Sequence, residues 1–266
     1  MGALRQRACY LRAIEDGLFM EIQGIPEESL KEAMAYALFP GGKRLRPLMV
    51  LVYTDLGGAA LERGLGFALA IELVHTYTLI HDDLPALDDA GTRRGKPALH
   101  KKFSESSAIL AGDGLLPLAF RTLCEHYRDE PGALSALSLL LAATLGPTGL
   151  VLGQYLDLNA SKPWKMETRE RIATLKTGLL FRACLEGASI VLGYPPETRN
   201  LLAQTGESFG LAFQLVDDLK DEENLELEDK KAIVRRVVTL EGELRKLLGK
   251  VPNGNELGAV LFQALE

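Results

Sequence analysis

The chain has 266 residues, enough for one large domain or two small ones, and 47% of them are hydrophobic, ample for a sizeable core. Aromatics make up only 6% while Leu and Ala abound, a balance that favours helix. The net charge of −6 argues against general nucleic-acid binding, so no nucleic-acid partner is expected beyond what a local basic patch allows.

The N-terminal stretch MGALRQRACYLRAIEDGLF carries acidic residues and no long apolar core, so it is not read as a secretory signal. Apolar residues recur at helical spacing along most of the chain, and alternating strand patterns are scarce. Helices are predicted near 3–20, 27–39, 44–56, 60–84, 105–127, 133–145, 147–160, 168–192, 197–221 and 228–249. Breakers fall between them: PGG at 40–42, Pro85, the 91–97 loop, Pro131-Gly132, Pro163 and Pro195-Pro196. No short-period repeat appears and no linker divides the chain. The expected fold class is therefore all-α, a single domain over 1–266 with a bundle core.

The most apolar stretch, about residues 134–153, is interrupted by Gly146, Pro147 and Gly149. It reads as a buried helix pair, so no stable membrane insertion is expected. Cys9, Cys124 and Cys184 lie far apart without metal-like spacing, and read as buried reduced thiols of a cytoplasmic protein.

Chemistry concentrates in the string HDDLPALDD, where Asp82, Asp83, Asp88 and Asp89 crowd together. Two unit charges ~4 Å apart cost about 4 kcal/mol at an effective dielectric of ~20, so the cluster calls for solvation or a cation. Pro85 disfavours helical geometry at Leu84, which places Asp82 and Asp83 in the last turn of the helix. The macrodipole opposes anions at that end, and a hard divalent cation such as Mg²⁺ relieves the conflict. The bland alternative is a solvated acidic turn. A second cluster, Asp217, Asp218 and Asp221, follows the apolar run Phe209 to Val216. Asp217 and Asp221 share a helix face, and carboxylates from facing helices are how bundles build metal sites. Its alternative is an exposed acidic helix end, which suits Glu222, Glu223, Glu226 and Glu228 better than the aspartates.

Basic residues come in matching groups. PGGKRLRP places Lys43, Arg44 and Arg46 after a glycine turn at a helix start, where backbone N–H groups add to an anion site. Arg93 and Arg94 follow the first acidic cluster, and Lys176 with Thr177 lies on a mostly apolar helix. In isolation Lys176 reads as a snorkelling side chain. Beside two acidic clusters, the basic groups point to two anionic ligands, one held through metal and one by Lys and Arg directly.

In order, PGGKRLRP, HTYTLIHDDLPALDD with TRRGKP, GQYLDL, KTG and FQLVDDLKD resemble the signature of trans-prenyl diphosphate synthases. These are the all-α enzymes, with a bundle around a deep apolar cavity, that build farnesyl and geranylgeranyl diphosphate. The resemblance covers about residues 30–221. It implies that Asp82, Asp83 and Asp88, and likewise Asp217, Asp218 and Asp221, are ligands of Mg²⁺ ions, about three once diphosphate is bound. Asp217 is the direct ligand expected first in the second motif. Gly42, Lys43, Arg46, His75 and Arg94 match contacts to isopentenyl diphosphate; Arg93, Lys176, Thr177 and Gln214 match contacts to the allylic diphosphate. The catalytic set implied is Asp82, Asp83, Asp88, Lys176 and Asp217, and a homodimer is the implied assembly.

In the implied chemistry, diphosphate leaves an allylic carbon, the isopentenyl double bond attacks the cation, and a proton is lost to the departed diphosphate. Mg²⁺ and cationic side chains stabilise the leaving charge, and an apolar cavity keeps water from the cation. No side chain serves as nucleophile. His81 and His100 are acid/base candidates by type, but polar structural roles are expected for both. Tyr77, five residues before Asp82, with Thr78 beside it, matches the aromatic position that floors the cavity, which favours farnesyl diphosphate with geranylgeranyl diphosphate as the alternative.

Two departures stand out. The region after Asp221 is shorter than in the family, and Lys231 is the candidate stand-in for a later lysine. Ala90-Gly91-Thr92 replaces further aspartates. Rival readings are a class I terpene cyclase, which has little need of PGGKRLRP, a non-catalytic synthase-like subunit, which would be expected to lose an acidic motif, and a structural metal-binding bundle, which leaves the paired cationic sites without a purpose.

Overall fold

The structure, a computed structural model, describes residues 2–39, 41–161, 163–221 and 226–266, and the side chains of all of these except 2–5 and 221. Pro40, Glu222 and Glu223 of the expectations above lie outside the described residues. The all-α expectation holds: thirteen α-helices, one π-helical turn and a two-stranded hairpin make up the described regular structure. Two compact units are distinguished, residues 1–51 with 61–134, and residues 52–60 with 135–266.

The first unit contains α1 (Gly2–Gln23), α2 (Glu28–Leu38), the first half of α3 (Leu45–Leu56), α4 (Leu61–Asp82), β1 (Thr92–Arg93), β2 (Lys96–Pro97), α5 (Leu99–Lys102) and α6 (Glu105–His126). Helix α4 is its centre. Phe67 to Val74 are buried without a break, and a helix apolar all round belongs inside a core. Its main neighbour is α6. Gly112 makes that approach possible, since a Cβ there would lie 2.3 Å from the His81 ring. Helix α6 starts where the sequence predicts, with Ser104 Oγ capping the Ser107 N–H at 3.1 Å. The loop predicted over 91–97 is instead an antiparallel hairpin, β1 with β2. Its turn residues Arg94 and Gly95 both have positive φ, the combination that tight hairpin turns require.

The second unit contains α7 (Pro131–Leu145, from Ser135 onward), α8 (Leu150–Asn159), α9 (Met166–Ala173), α10 (Leu179–Val191), α11 (Pro196–Asp221), α12 (Leu227–Leu248) and α13 (Gly254–Leu265). Helix α11 packs between α10 and α12. Phe181 meets Phe209 edge-on at 5.0 Å, and Ala212, Leu215, Ile233 and Leu240 form a buried cluster. The helix predicted over 168–192 is interrupted by a π-helical turn at Thr174–Gly178 between α9 and α10. Helix α13 and α5 were not anticipated; α5 has four residues and α13 lacks a side-chain N-cap, so both give little local signal.

Two expectations need correction. The stretch 134–153 does break between α7 and α8, but the pair is buried on one face only: Leu137 and Leu141 are fully buried, while Leu139 is 71% and Val151 51% exposed. By length and composition alone, α6 and the α7–α8 stretch are apolar enough to cross a membrane. The cysteines form no disulfide among the described residues, but Cys9 and Cys124 are exposed and only Cys184 is buried.

Candidate active site

The first acidic motif is a turn built on the end of α4. The helix stops at Asp82, as Pro85 dictates, and the chain folds back so that Asp88 N–H donates to the Asp82 carbonyl at 2.9 Å. Ala90 N–H closes the turn on Asp83 O at 3.2 Å. Asp82 is thereby half-buried and Asp88 exposed, with their backbones side by side. Asp83 differs from both. It is 2% exposed and accepts from Arg93 Nε on both oxygens, at 3.0 and 3.2 Å, and from Arg93 Nη2. The hydrogen bond to Asp83, with the charges of Asp83, Asp82 and Asp88, holds the Arg93 guanidinium firmly protonated against its partial burial.

Cations gather on the same unit. Gly42 and Lys43 are exposed in the turn before α3. Arg44, grouped with them in the sequence, turns inward instead: it is 3% exposed and bonded to Glu15 at 2.8 Å, Glu72 at 2.5 Å and the Leu38 carbonyl at 2.6 Å. Glu72 and Glu15 neutralise it, so Arg44 is structural rather than ligand-facing. Arg46 Nη1 lies 3.3 Å from His75 Nε2. An arginine only donates, so Nε2 accepts and the His75 proton sits on Nδ1. Burial first, then the fields of Arg46, Arg94, Arg44 and Arg93, holds the His75 imidazole well below its usual range. Arg44 and Arg93 are paired with carboxylates, so the positive potential that suits an anion here comes from Arg46 and Arg94 beside a neutral histidine. Arg94 is exposed in the hairpin turn, beside a pocket lined by Tyr36, Thr76, Leu79, Asp83 and Arg93.

The depressed His75 value has a testable sign. Its neutral-state contribution to stability is complete above the unfolded histidine range, about pH 6.5, and is lost as pH falls toward the folded value. Urea unfolding between pH 8 and pH 5 is expected to show a steeper loss of stability for the wild type than for His75→Gln, which keeps an acceptor but does not titrate; parallel curves would refute it.

On the second unit the π turn carries Lys176 and Thr177. A π turn adds a residue to the helix and is frequent at functional sites. Helix α8 comes close here through Gly153, where a Cβ would meet the Lys176 amide at 2.7 Å. Lys176 Nζ pairs with Asp157 of α8 at 2.6 Å. Thr177 Oγ1 donates to Gln214 Oε1 at 2.6 Å, Gln214 Nε2 donates to Asp218 Oδ1 at 2.9 Å, and Arg169 Nη1 donates to Asp218 Oδ2 at 2.9 Å. This relay fixes the Gln214 amide orientation and occupies both Asp218 oxygens. Asp217 is half-buried one residue earlier on α11, and Asp221 ends that helix with its side chain outside the described residues. Lys176, Gln214, Asp218, Arg169, Asp157 and Trp164 line a cavity of about 210 Å³. Lys231 is exposed on α12 and paired with Glu228 at 2.7 Å, a local i,i+3 contact.

Among the described residues no three His, Cys, Asp or Glu side chains converge as a preformed metal cage. Each unit thus offers carboxylates and cations in close order, a combination shared by enzymes that handle diphosphates. The polyprenyl synthetase family profile matches residues 27–235, which includes both halves of this inventory. The chain belongs to the polyprenyl synthetase family. The farnesyl diphosphate synthase of Micrococcus luteus is 42% identical over 216 residues, 80% of this chain and 73% of that protein. The geranylgeranyl diphosphate synthase of Cyanophora paradoxa is 34% identical over 240 residues, 89% of this chain and 75% of that one. A solved FPP/GFPP synthase from Zymomonas mobilis superposes with a TM-score of 0.90 at 34% identity, covering 99% of this chain and 100% of its own. This polyprenyl synthetase is a trans-prenyltransferase, and of the rival readings the terpene cyclase and the structural bundle fall away.

Sequence reasoning missed three residues of the synthetase's second unit. Asp157 stood inside GQYLDL, a recognised motif, without an assigned role. Arg169 and Trp164 lie between GQYLDL and KTG, outside the motifs read from the sequence, and only packing reveals them. His81 and His100 have ring environments in the first unit: His81 Nε2 lies 3.2 Å from the Ile109 carbonyl, and His100 is buried 4.0 Å from Asp89.

Proposed function

We propose that the protein condenses isopentenyl diphosphate with dimethylallyl or geranyl diphosphate, and that farnesyl diphosphate is its main product. The observation that carries this reading is the pair of cationic groups, each beside its own aspartate motif: Lys43, Arg46, Arg94 and neutral His75 on one unit, Lys176 with Thr177 and Gln214 on the other. A two-substrate diphosphate reaction needs both, whereas a cyclase or a structural bundle needs at most one.

The donor set fits Mg²⁺. Asp82, Asp88 and Asp217 offer hard oxygen ligands that are at least partly exposed, and Mg²⁺ characteristically takes one or two carboxylates with substrate phosphate and water. Asp82 and Asp88 would hold it on the first motif and Asp217 on the second. Asp83, engaged by Arg93, has its task in aiming that guanidinium, and Asp218 in ordering Gln214. When bound, Mg²⁺ supplies charge neutralisation to the departing diphosphate.

The residues divide the remaining work. Lys176, Thr177 and Gln214 bind the allylic diphosphate and stabilise charge on its bridging oxygen as the C–O bond breaks. Gly42, Lys43, Arg46, His75 and Arg94 orient isopentenyl diphosphate so that its double bond attacks the allylic cation. The new C–C bond leaves a tertiary cation, which loses a proton to an oxygen of the departed diphosphate and forms the new double bond. Neutral His75 accepts from Arg46 and so steadies a ligand-binding donor without adding a proton to the exchange.

Tyr77 sets length in this reading. Its ring stacks edge-on with His81 at 5.3 Å, one turn below Asp82, and Thr78 ties its hydroxyl to the His75 carbonyl at 2.8 Å. Burial, with Asp82 and Asp113 nearby, pushes the Tyr77 phenol up, so it stays neutral. Tyr77→Ala is expected to shift the main product to geranylgeranyl or longer diphosphates, read by chromatography of dephosphorylated products; an unchanged distribution removes the floor assignment. The reading as a whole is tested by incubating the chain with isopentenyl diphosphate, Mg²⁺ and each allylic primer in turn. Absence of product with every primer would leave the non-catalytic subunit; geranylgeranyl diphosphate as main product would change only the chain length. A cytoplasmic homodimer completes the proposal. The exposed apolar residues Ile109 and Leu110 on α6, and Leu139, Val151 and Tyr155 on α7 and α8, suit cover by a second copy.

A further inference from the structure

We propose that Arg169 is a further diphosphate-binding residue of the second unit, held in reserve by Asp218 until substrate arrives. The proposal rests on the reading above that Lys176 and Gln214 bind the allylic diphosphate. Arg169 is 7% exposed, yet it lies in the wall of the 210 Å³ cavity that Lys176 and Gln214 also line. Its guanidinium is 5.6 Å from the Trp164 ring and 2.9 Å, through Nη1, from Asp218 Oδ2. The other Asp218 oxygen is taken by Gln214, which in turn accepts from Thr177.

A buried ion pair contributes little to stability over an apolar pair of equal volume, so stability alone gives weak reason to bury an arginine here. Anion recognition gives a better one. Guanidinium matches phosphate oxygens with paired N–H donors, which the point charge of Lys176 cannot do. The two cations of this cavity are each parked on a carboxylate, Lys176 on Asp157 and Arg169 on Asp218. An incoming diphosphate competes for both with more negative charge than either carboxylate carries. The cavity is thus neutralised before substrate binds and cationic toward substrate when the carboxylates are displaced. Trp164, the chain's one tryptophan, sits against the Arg169 guanidinium and reports its movement.

The test is binding of inorganic pyrophosphate to the full chain in EDTA, by calorimetry and by Trp164 emission. Arg169→Gln is expected to weaken pyrophosphate binding tenfold or more, and Asp218→Asn, by removing the competing carboxylate, to tighten it severalfold. A purely structural pair predicts neither change, and binding by Arg169→Gln within twofold of wild type overturns the proposal. Should Arg169→Gln fail to fold, Asp218→Asn decides: no tightening overturns it. Lys176→Ala separates this failure from a deeper one. If Lys176→Ala weakens binding while Arg169→Gln does not, only the role of Arg169 falls; if Lys176→Ala also binds as wild type does, the allylic assignment of the cavity falls.

Discussion

Asp88→Ala is expected to lower kcat by about 10²–10³-fold, the usual cost of losing one charge-stabilising group at a site where anionic charge develops. The unfolding midpoint is expected to stay within about 2 °C, since surface changes usually lie within ~0.5 kcal/mol. The reason is position. The Asp88 side chain is exposed, and its backbone N–H, which alanine retains, makes the bond to the Asp82 carbonyl that shapes the turn. Asp83→Ala provides the contrast. Asp83 is buried and paired with Arg93, so its loss strikes the arginine's orientation and the fold together. Steady-state kinetics with isopentenyl and geranyl diphosphates, beside thermal melts, separates the two. Retained turnover in Asp88→Ala would remove Asp88 from the metal-binding assignment.

The largest stability effect is expected at Arg44→Met. Truncating one partner of a buried ion pair costs about 3–5 kcal/mol, because the other charge stays in the interior unpaired. Glu72 is 1% exposed, and burial already pushes its carboxyl up against the pull of Arg44. Arg44 also adopts a left-handed backbone at φ 50°, a conformation that its bonds to Glu15, Glu72 and the Leu38 carbonyl hold in place. At about 2–4 °C per kcal/mol, the midpoint should fall by roughly 6–20 °C. The double variant Arg44→Met with Glu72→Leu should recover most of the loss, because the stranded carboxylate is gone. A single variant as stable as wild type would show that Glu72 is already protonated in the native protein.

Arg44 also marks the limit of what the sequence discloses. By residue type and place in PGGKRLRP it resembles Lys43 and Arg46, and its inward turn depends on Glu15 and Glu72, each nearly thirty positions away. Partner choice over such separations is a property of packing, not of local pattern. The elements that were legible have local causes: Pro85 ends α4, Ser104 caps α6, and apolar periodicity gives the long helices. The clusters at 82–88 and 217–221 were legible because crowded carboxylates conflict with Coulomb's law unless something resolves them. Asp83 and Asp218 looked equivalent to their neighbours in the sequence and are not, since each is engaged by an arginine, one ten and the other forty-nine positions distant. The 92–97 hairpin escaped notice because two-residue strands have no alternation to detect.

The π turn at Thr174–Gly178 makes this stretch intolerant of a change in length. Removing one residue would restore ordinary α-helical winding, in which each residue turns about 100° and rises ~1.5 Å. Every side chain beyond the deletion would keep its helix and lose its heading. Lys176 would swing from Asp157, Thr177 would leave Gln214, and the close seat of α8 at Gly153 would face a different backbone. Point substitutions here trim single contacts, whereas a one-codon deletion would disconnect the whole relay at once.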